Sequence, residues 1–375
     1  MHHIAVHFLH IDLGIALQVI LLGFIGGVLS GFIGSGGAFF MTPGMMNLGV
    51  EGVVAVASNI THKFGKAMVG SRKHGEAGNV DKKLAIFLLV TAVAGIQLAV
   101  FINSMLFRGG TGHGAAKGAG ANLYISIVFS TILLFVSLSM LRDLIKSSRQ
   151  SEEDSGPSRK LANFFNKFNL PPVIYFKVAD IRVSLWVLLM VGVATGYLAG
   201  TIGVGGFIGV PAMIYILGVP TAVATGTELF LAMFMGAYGA LSYAYQGFVD
   251  IRLTMLLYLG SLLGIYLGVF GVKVVHEKII RLVTSLIILL CVFSRVIAIP
   301  VYLRQLNMLQ MDPKFDVYFN MTSKFFLFAS GITGCLVILF FVIRAYRQRR
   351  GIQISIKVAC QETPADLEPE PLSTV

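Results

Sequence analysis

Long apolar runs separated by short polar segments occupy most of the chain. A helix needs about 20 apolar residues to cross a bilayer, and several runs reach that length. Four lie in the first half and four in the second half, followed by one more: 11–33, 50–70, 84–107, 122–141, 183–202, 220–246, 253–275, 279–301 and 325–343. The pattern predicts an all-α, polytopic membrane protein with one extra helix at its C-terminal end.

A glycine-rich break interrupts the apolar pattern once in each half. The first break is Gly34-Ser35-Gly36-Gly37 and the second is Gly203-Val204-Gly205-Gly206; each is followed by a short apolar segment that contains Pro43 or Pro211. The breaks lie 169 positions apart, whereas the prolines lie 168 apart. A duplication of this length in apolar sequence predicts two inverted repeats whose broken helices meet near mid-membrane.

The breaks are the predicted binding elements. Each glycine costs a helix about 1 kcal/mol relative to alanine, so three glycines in four residues should unwind the backbone. Backbone groups freed inside a bilayer must face protein, a ligand or a water-filled cavity. The following segments are too short to span as ordinary helices, and their N-terminal amides favour an anion. We therefore expect substrate to meet the backbone at Gly34, Ser35, Gly36, Gly37, Gly203, Gly205 and Gly206, with Pro43 and Pro211 as structural residues.

The helix after the first break carries four polar residues on one face: Asn59, His62, Lys63 and Lys66. The matching positions of the second half hold one carboxylate and three apolar residues: Glu228, Leu231, Ala232 and Met235. A lysine at mid-membrane costs about 2.5 to 3.5 kcal/mol on insertion scales, so its presence predicts a cavity or a counter-charge. We include Asn59, His62, Lys63 and Glu228 among the candidate binding residues.

Each of these side chains also has a structural interpretation. Lys66 could extend to the cytoplasmic interface, and His62 could take part in proton movement or be a packed hydrogen-bonding residue. Glu228 could pair with Lys63, bind a coupling proton or orient its helix. Three hydroxyls beside the breaks suit an oxyanion, although such groups also bond their own helix routinely: those of Ser58, Thr225 and Thr227.

Composition supports the membrane class and narrows the chemistry. Charged residues make up 13% of the chain, against about 25% in soluble proteins, and the mean hydropathy is +0.81. The formal charge of +11 comes from basic residues at the ends of apolar runs, which indicate topology and not nucleic-acid binding. Three cysteines supply neither a disulfide framework nor a zinc motif. No catalytic motif is recognisable, so we expect no enzyme activity, no cofactor and no metal site.

The basic segments also predict the orientation. If each short segment after a break crosses the membrane, the cytoplasmic side receives all four basic segments: 72–83, 142–181, 273–281 and 344–350. This gives five helices in each repeat and one extra, with the N-terminus outside and the C-terminus cytoplasmic in the cell membrane. If those segments do not cross, each repeat has four crossings and the arginine-rich end faces outside. The first apolar run has no cleavage site, so we expect a retained helix.

These features divide the chain into five parts. The expected parts are a first transmembrane repeat, 1–141; a cytoplasmic linker, 142–181, disordered at 151–157 and with an interfacial amphipathic helix at 161–168; a second repeat, 182–301; a loop with the extra helix, 302–346; and a disordered cytoplasmic tail, 347–375.

The doubled motif resembles the sulfite exporter TauE/SafE family, also called the four-toluene-sulfonate uptake permeases. The resemblance rests on G-x-G-G, then a proline, then A-x-A-S-N or A-T-G-T-E, and it covers most of both repeats. Its motif falls on Gly34, Gly36, Gly37, Pro43, Ser58, Gly203, Gly205, Gly206, Pro211, Gly226 and Thr227. The resemblance implies secondary transport of small sulfur-containing or organic anions, such as sulfite or sulfonates, with proton coupling. The long insert, the extra helix and the His62-Lys63-Lys66 face depart from simpler members.

Two other functions remain open from the sequence. A passive anion channel would also bind small anions. A selective pore usually has rings of charged residues, whereas the charges in this sequence are dispersed. A membrane scaffold or sensor would act through the insert and the acidic tail. In each case the lipid bilayer is the surrounding partner, and nothing in the sequence specifies an oligomeric state.

Overall fold

A computed structural model describes residues 8–33, 37–109, 116, 118–147, 170–203, 205–275 and 277–361. Three predictions fall outside the described residues: the glycines at 34–36, the disordered and amphipathic parts of the linker, and the acidic end of the chain. The described residues are almost entirely helical and include one two-stranded sheet. The predicted all-α, polytopic class is confirmed.

The first repeat consists of five helices: α1 (Leu13–Ile33), α2 (Ala38–Asn47), α3 (Gly52–Glu76), α4 (Lys82–Gly109) and α5 (Ala119–Ser147). An antiparallel hairpin follows, made of β1 (Val173–Phe176) and β2 (Ile181–Ser184). The second repeat contains α6 (Leu185–Ile202), α7 (Gly205–Ala212) with a π-helical turn (Met213–Leu217), α8 (Thr221–Tyr245), α9 (Ile251–Val274) and α10 (Glu277–Gln305). Beyond the repeats lies α11 (Lys314–Gln361).

Among the described residues, seven helices are long and apolar enough to span a bilayer: α1, α4, α5, α6, α9, α10 and α11. The helices that follow the breaks, α3 and α8, have 25 residues each and so extend about 37 Å. Polar residues lower their hydropathy, and these two helices lie against each other inside the bundle. The long helices of the two repeats that are not among these seven, α3 and α8, are therefore the ones that pack against each other at the centre.

The two repeats are related by an approximate two-fold axis. Helices α3 and α8 have the same length and begin 169 positions apart. They pack antiparallel, with Gly236 against Phe64 and Gly239 against Ile60. The first helix of each repeat packs on the fourth helix of the other, α1 on α9 and α6 on α4, and α5 packs on α10. This reciprocal exchange of helices confirms the predicted inverted repeats.

Glycines set the closest helix contacts. Along α1, Gly23, Gly27 and Gly31 meet the backbone of α9. A Cβ at Gly27 would lie 2.5 Å from the Ser261 carbonyl oxygen and 2.7 Å from its Cα. The equivalent α6–α4 pair uses glycines in the same way. Small residues replace the hydrophobic effect as the source of helix association in lipid, because they let backbones approach closely.

The short helix α2 packs antiparallel to α1. A Cβ at Gly37 would collide with the backbone of Gly26, and one at Gly44 would collide with the Leu22 side chain. At the end of α2, Gly49 lies near Leu9, just before the start of α1. The break and α2 together therefore return the chain to the side of the bundle where α1 begins, and α3 starts from that side.

One face of the bundle gathers the segments that precede or follow these helices; we call it the hairpin face, after Val173–Ser184. There the Asp81 carboxylate accepts the backbone N–H groups of Val178 and Ala179, and the Lys83 ammonium donates to the Tyr175 carbonyl. Tyr215 of the π turn donates to Asp143 near the end of α5. On the opposite face, Gln305 at the end of α10 accepts the Ala116 amide.

The π turn absorbs the one-residue difference between the repeats. The second repeat has one residue fewer between its glycines and its proline, and the offset returns to 169 by the start of α8. A π turn is an α-helix with one inserted residue, and Met213–Leu217 supplies that residue before Gly218 ends the segment at φ +77°. The register of α8 is thereby restored.

The structure corrects three parts of the predicted outline. The hairpin lies where a linker was expected, and it crosses the predicted boundary at 181/182; four-residue strands are too short to stand out beside apolar runs. The loop predicted between the apolar runs that end at 301 and begin at 325 is shorter, because α10 continues to Gln305 and α11 begins at Lys314. The predicted tail from 347 is helical to Gln361, since the first residue that would break the helix after the basic segment is Pro364.

Gly27→Ala should lower the melting temperature of the detergent-purified protein, because its methyl group overlaps the backbone of Ser261. Overpacking of this kind costs about 1–3 kcal/mol. Gly75→Ala is the matched control, since nothing lies within 4 Å of a Cβ at that helical position. The control should melt at or slightly above the wild-type temperature. Equal melting of Gly27→Ala and wild type would contradict the close packing of α1 on α9.

Candidate functional site

The two breaks meet through a small polar cluster. Asn59 on α3 donates its side-chain amide to the Ala38 carbonyl at 2.9 Å and to the Thr42 hydroxyl at 2.8 Å, which holds α2. Thr42 in turn donates to the carbonyl of Ile202, the last residue of α6, at 3.0 Å. The first broken element is thus tied directly to the start of the second break.

Gly203 requires its glycine for two reasons. Its φ of +77° lies in the left-handed region, which L side chains rarely adopt. A Cβ there would also lie 3.0 Å from the Asn59 amide nitrogen and 3.1 Å from the Thr42 hydroxyl. The backbone therefore turns sharply at the point where the two breaks touch.

An ion pair bridges α3 and α8 beside the second break. The Lys63 ammonium lies 4.0 Å from the nearer Glu228 oxygen, and the two side chains are 16% and 2% exposed. Both rest on the glycine side of α7: a Cβ at Gly205 would lie 2.9 Å from the Lys63 nitrogen, and one at Gly209 would collide with the Glu228 carboxylate. Because these residues are glycines, opposite charges can lie directly on the backbone of α7.

The Glu228 carboxylate is incompletely satisfied. Among the described residues, neither of its oxygens has a hydrogen-bond partner, and Lys63 is at the outer limit of ion-pair distance. A buried charge normally needs both pairing and hydrogen bonds to offset its desolvation. Its environment therefore has capacity for a further group, such as a proton on Glu228 or an anion beside Lys63.

His62 and Lys66 share the helical face of Lys63 but not its surroundings. His62 is buried, with its Nε2 atom 2.7 Å from the Ser261 hydroxyl on α9 and its ring 4.6 Å from that of Tyr258. It joins α3 to α9. Lys66 lies a turn nearer the hairpin face and has no ion pair among the described residues. Only Lys63 of the three meets the second break.

Two of the predicted hydroxyls connect the repeats to each other. Ser58 donates to the Asp250 carbonyl at 3.5 Å, and Thr227 accepts the Asp81 amide at 3.0 Å. These two contacts are equivalent under the 169-residue offset. Thr225 donates to Thr221 of its own helix. All three hydroxyls therefore have protein partners, and the structure does not gather them around Lys63.

The remaining predicted residues have simple placements. Gly37 precedes the first residue of α2, and Gly206 is buried in the first turn of α7. Pro43 and Pro211 lie inside α2 and α7, where each removes one backbone donor from a short helix. The placement of Gly34, Ser35 and Gly36 lies outside the described residues.

Sequence reasoning missed a second polar centre around Arg295. This residue is 1% exposed, and its guanidinium donates to Asn47, the last residue of α2, to Ser323 of α11 and to Tyr302. No described carboxylate pairs with it. A cation at a helix C-terminus complements the partial negative charge there, so Arg295 anchors the far end of α2. The sequence signal was a lone charged residue between 282 and 303.

Comparisons with known proteins agree with this architecture. The family described as "Sulfite exporter TauE/SafE" matches residues 19–295. The chain is 25% identical over 254 residues to the "Probable membrane transporter protein YjnA" of Bacillus subtilis (strain 168), which covers 68% of this chain and 89% of that protein. It is 24% identical over 259 residues to "Probable membrane transporter protein YdhB" of the same organism, covering 67% and 88%.

No solved structure matches the chain. The family match extends over more than half of the chain, from within α1 to Arg295 of α10, and so includes both breaks and the Lys63–Glu228 pair. The chain belongs to the sulfite exporter TauE/SafE family and is a multi-pass membrane transport protein.

Proposed function

We propose that the protein is a secondary transporter of small anions, with sulfur oxyanions and sulfonates as the substrate class. The observation that carries this proposal is the Lys63 ammonium, which lies inside the bundle against Gly205 at the start of α7. A cation and a helix N-terminus that converge on one point form a site for negative charge.

The first turn of α7 supplies the second half of the proposed anion site. The first backbone amides of a helix have no partner within it, and they point toward the N-terminal end. Gly205 and Gly206 are the first residues of α7, so neither residue carries a side chain of its own that would block an anion from its amide. Lys63 then adds a full charge and up to three donors, which suits the oxygens of a sulfite or sulfonate group.

Glu228 serves as the resident counter-ion of the empty site. Without substrate, Lys63 would be an isolated cation among apolar helices, and its 4.0 Å approach to Glu228 offsets that cost. An arriving anion competes for the same ammonium. The ion pair is long, and the carboxylate oxygens have no hydrogen-bond partner among the described residues, so little hydrogen bonding is lost when the anion takes the place of Glu228.

Access to the site requires movement of the broken helices. Glu228 is 2% exposed and Asn59 is fully buried, so the site is enclosed in this conformation. Helix α2 is held at both ends, by Asn59 and by Arg295. The π turn and the left-handed Gly218 after α7 are local departures from helical geometry. We assign the moving part to α7 and the fixed part to α2.

Lys63→Ala should abolish stabilisation of the purified protein by its anionic substrate. Loss of a charge-assisted contact costs about 1.5–3 kcal/mol, which corresponds to about tenfold to a hundredfold weaker binding. Thermal shift with sulfite, sulfate, thiosulfate, sulfoacetate and an acetate control measures the effect. Lys66→Ala is the matched control, because it removes a lysine from the same helical face that does not meet α7; it should retain stabilisation. Anion stabilisation that survives in Lys63→Ala would contradict the proposed site.

Counterflow separates a transporter from a channel. Proteoliposomes preloaded with unlabelled substrate should transiently accumulate radiolabelled sulfite, because an alternating-access site exchanges one anion for another. Initial rates should saturate with external concentration, as expected when one binding site must be filled in every cycle. Flux that rises linearly with concentration and shows no counterflow would favour the channel instead.

Residues on the hairpin face are expected to be cytoplasmic. With the three native cysteines replaced by serine, Lys177→Cys in the hairpin should react with an impermeant maleimide only after the membrane is opened. Met308→Cys, in the exposed loop after α10, should react in intact cells. The basic residues gathered on the hairpin face support this orientation. The opposite labelling pattern would reverse it and place the C-terminus outside.

A further inference from the structure

We propose that Glu228 is a proton-binding residue that holds α7 in its protonated form and releases it in its charged form. The inference deepens the proposed function, because it would couple anion transport to protons. It concerns a different event, however: whether the second broken helix is held or free.

Glu228 and Asn59 occupy equivalent positions in the two repeats. The two residues lie 169 positions apart, at the same place in α8 and α3. Asn59 holds the broken helix of its repeat by donating N–H groups to the Ala38 carbonyl and to Thr42. Glu228 likewise lies against the broken helix of its own repeat, with its carboxylate on Gly209. The two side chains face the same kind of partner.

Their donor capacity is different. An amide always carries N–H donors, whereas an ionised carboxylate only accepts, and it gains one O–H donor when protonated. With the proline spacing of 168, the counterpart of Thr42, which precedes Pro43, is Val210. Val210 offers no hydroxyl, so a backbone carbonyl of α7 is the group that a protonated Glu228 can reach as Asn59 reaches Ala38. The charged form cannot make this bond, and neither of its oxygens has a hydrogen-bond partner among the described residues.

Among the described residues of the neighbouring helices, Lys63 is the charged side chain that pairs with Glu228. On α3 it meets Lys63 at 4.0 Å; Lys66 lies a turn farther on, and His62 bonds Ser261. The loop before α4 brings Asp81, whose carboxylate oxygens accept amides of Leu84 and the hairpin. Helices α6 and α7 have no charged residues, and Tyr215 of the π turn bonds Asp143. Lys63 is therefore the described charged group whose removal should change the protonation of Glu228.

Charge balance links the proton to the anion. The empty site holds Lys63 and an ionised Glu228, so its net charge is zero. With a monovalent anion at Lys63 and a proton on Glu228, the net charge is again zero. Either event alone leaves an uncompensated charge, which is costly in a low-dielectric bundle. The proton comes from the aqueous phase on the side from which the anion enters, and both leave together on the other side.

Hydrogen–deuterium exchange of the full-length protein in nanodiscs tests, without any substrate, whether protonation of Glu228 holds α7. In wild type, amides of α7 should become about threefold to tenfold better protected as the pH falls, after correction for intrinsic exchange, because one hydrogen bond is gained. Amides of α2 form the internal control: Asn59 does not titrate, so their protection should not change. In Glu228→Gln, whose amide donates at every pH, α7 should stay protected throughout.

Lys63→Met provides a second variant if Glu228→Gln folds poorly. With its cation removed, Glu228 should keep its proton to more alkaline pH, and protection of α7 should extend to more alkaline pH as well. The inference is overturned if protection of α7 in wild type does not depend on pH, or if Lys63→Met has the wild-type profile. A parallel change in α2 would also overturn it, because the effect would then not be specific to Glu228.

Sulfite counterflow on the same preparations distinguishes this inference from the proposed function. Wild-type protein that shows no flux of any tested anion, yet protects α7 as the pH falls, would refute anion transport and support the proton site. Protein that transports sulfite while protection of α7 is independent of pH would support transport and refute the proton site.

Discussion

Backbone groups that lose their helical partners inside a bilayer have to be satisfied by protein, and this constraint shapes the centre of the molecule. Each unpaired group there costs several kcal/mol. In the first repeat, Asn59 donates to a carbonyl at the start of α2, and Thr42 donates to the carbonyl at the end of α6. At the second break, the Gly203 amide closes α6 by bonding to Ala199, and a carboxylate stands where the amide of Asn59 would be. The two broken helices therefore face side chains of different donor capacity.

Around this centre, the framework is built from symmetric contacts. Glycines let α1 approach α9 and α6 approach α4 until their backbones touch, so the two reciprocal helix pairs are closely packed. Ser58 and Thr227 add one hydrogen bond from each repeat to the loop that begins the fourth helix of the other. Symmetric contacts of this kind fix where the broken helices lie but favour neither of them. A framework that is the same in both repeats cannot by itself hold one broken helix more firmly than the other.

The asymmetry comes from a few substitutions in the two copies. Arg295 and Asn47 anchor the far end of α2, whereas the corresponding end of the second element carries a π turn and is tied by Tyr215 to Asp143. Lys63 has Ala232 as its counterpart, and Asn59 has Glu228. One broken helix is thus held by permanent donors, and the other faces two groups whose charges cancel. A site that is neutral both empty and loaded avoids moving a bare charge through apolar surroundings.

The sequence by itself determined the class, the duplication and the presence of opposite charges within apolar helices. Apolar run lengths specify membrane helices, the 169-residue offset specifies two copies, and a lysine and a carboxylate in such runs predict a counter-charge. Local pattern did not reveal the hairpin, because four-residue strands carry little signal, nor the purpose of Ser58, Thr227 and Arg295. Apart from Tyr302, the partners that define those roles lie 28 to 248 positions away. Only the tertiary structure decided that Lys63 meets Glu228 on the glycines of α7, because that contact exists only once the inverted repeats interlock.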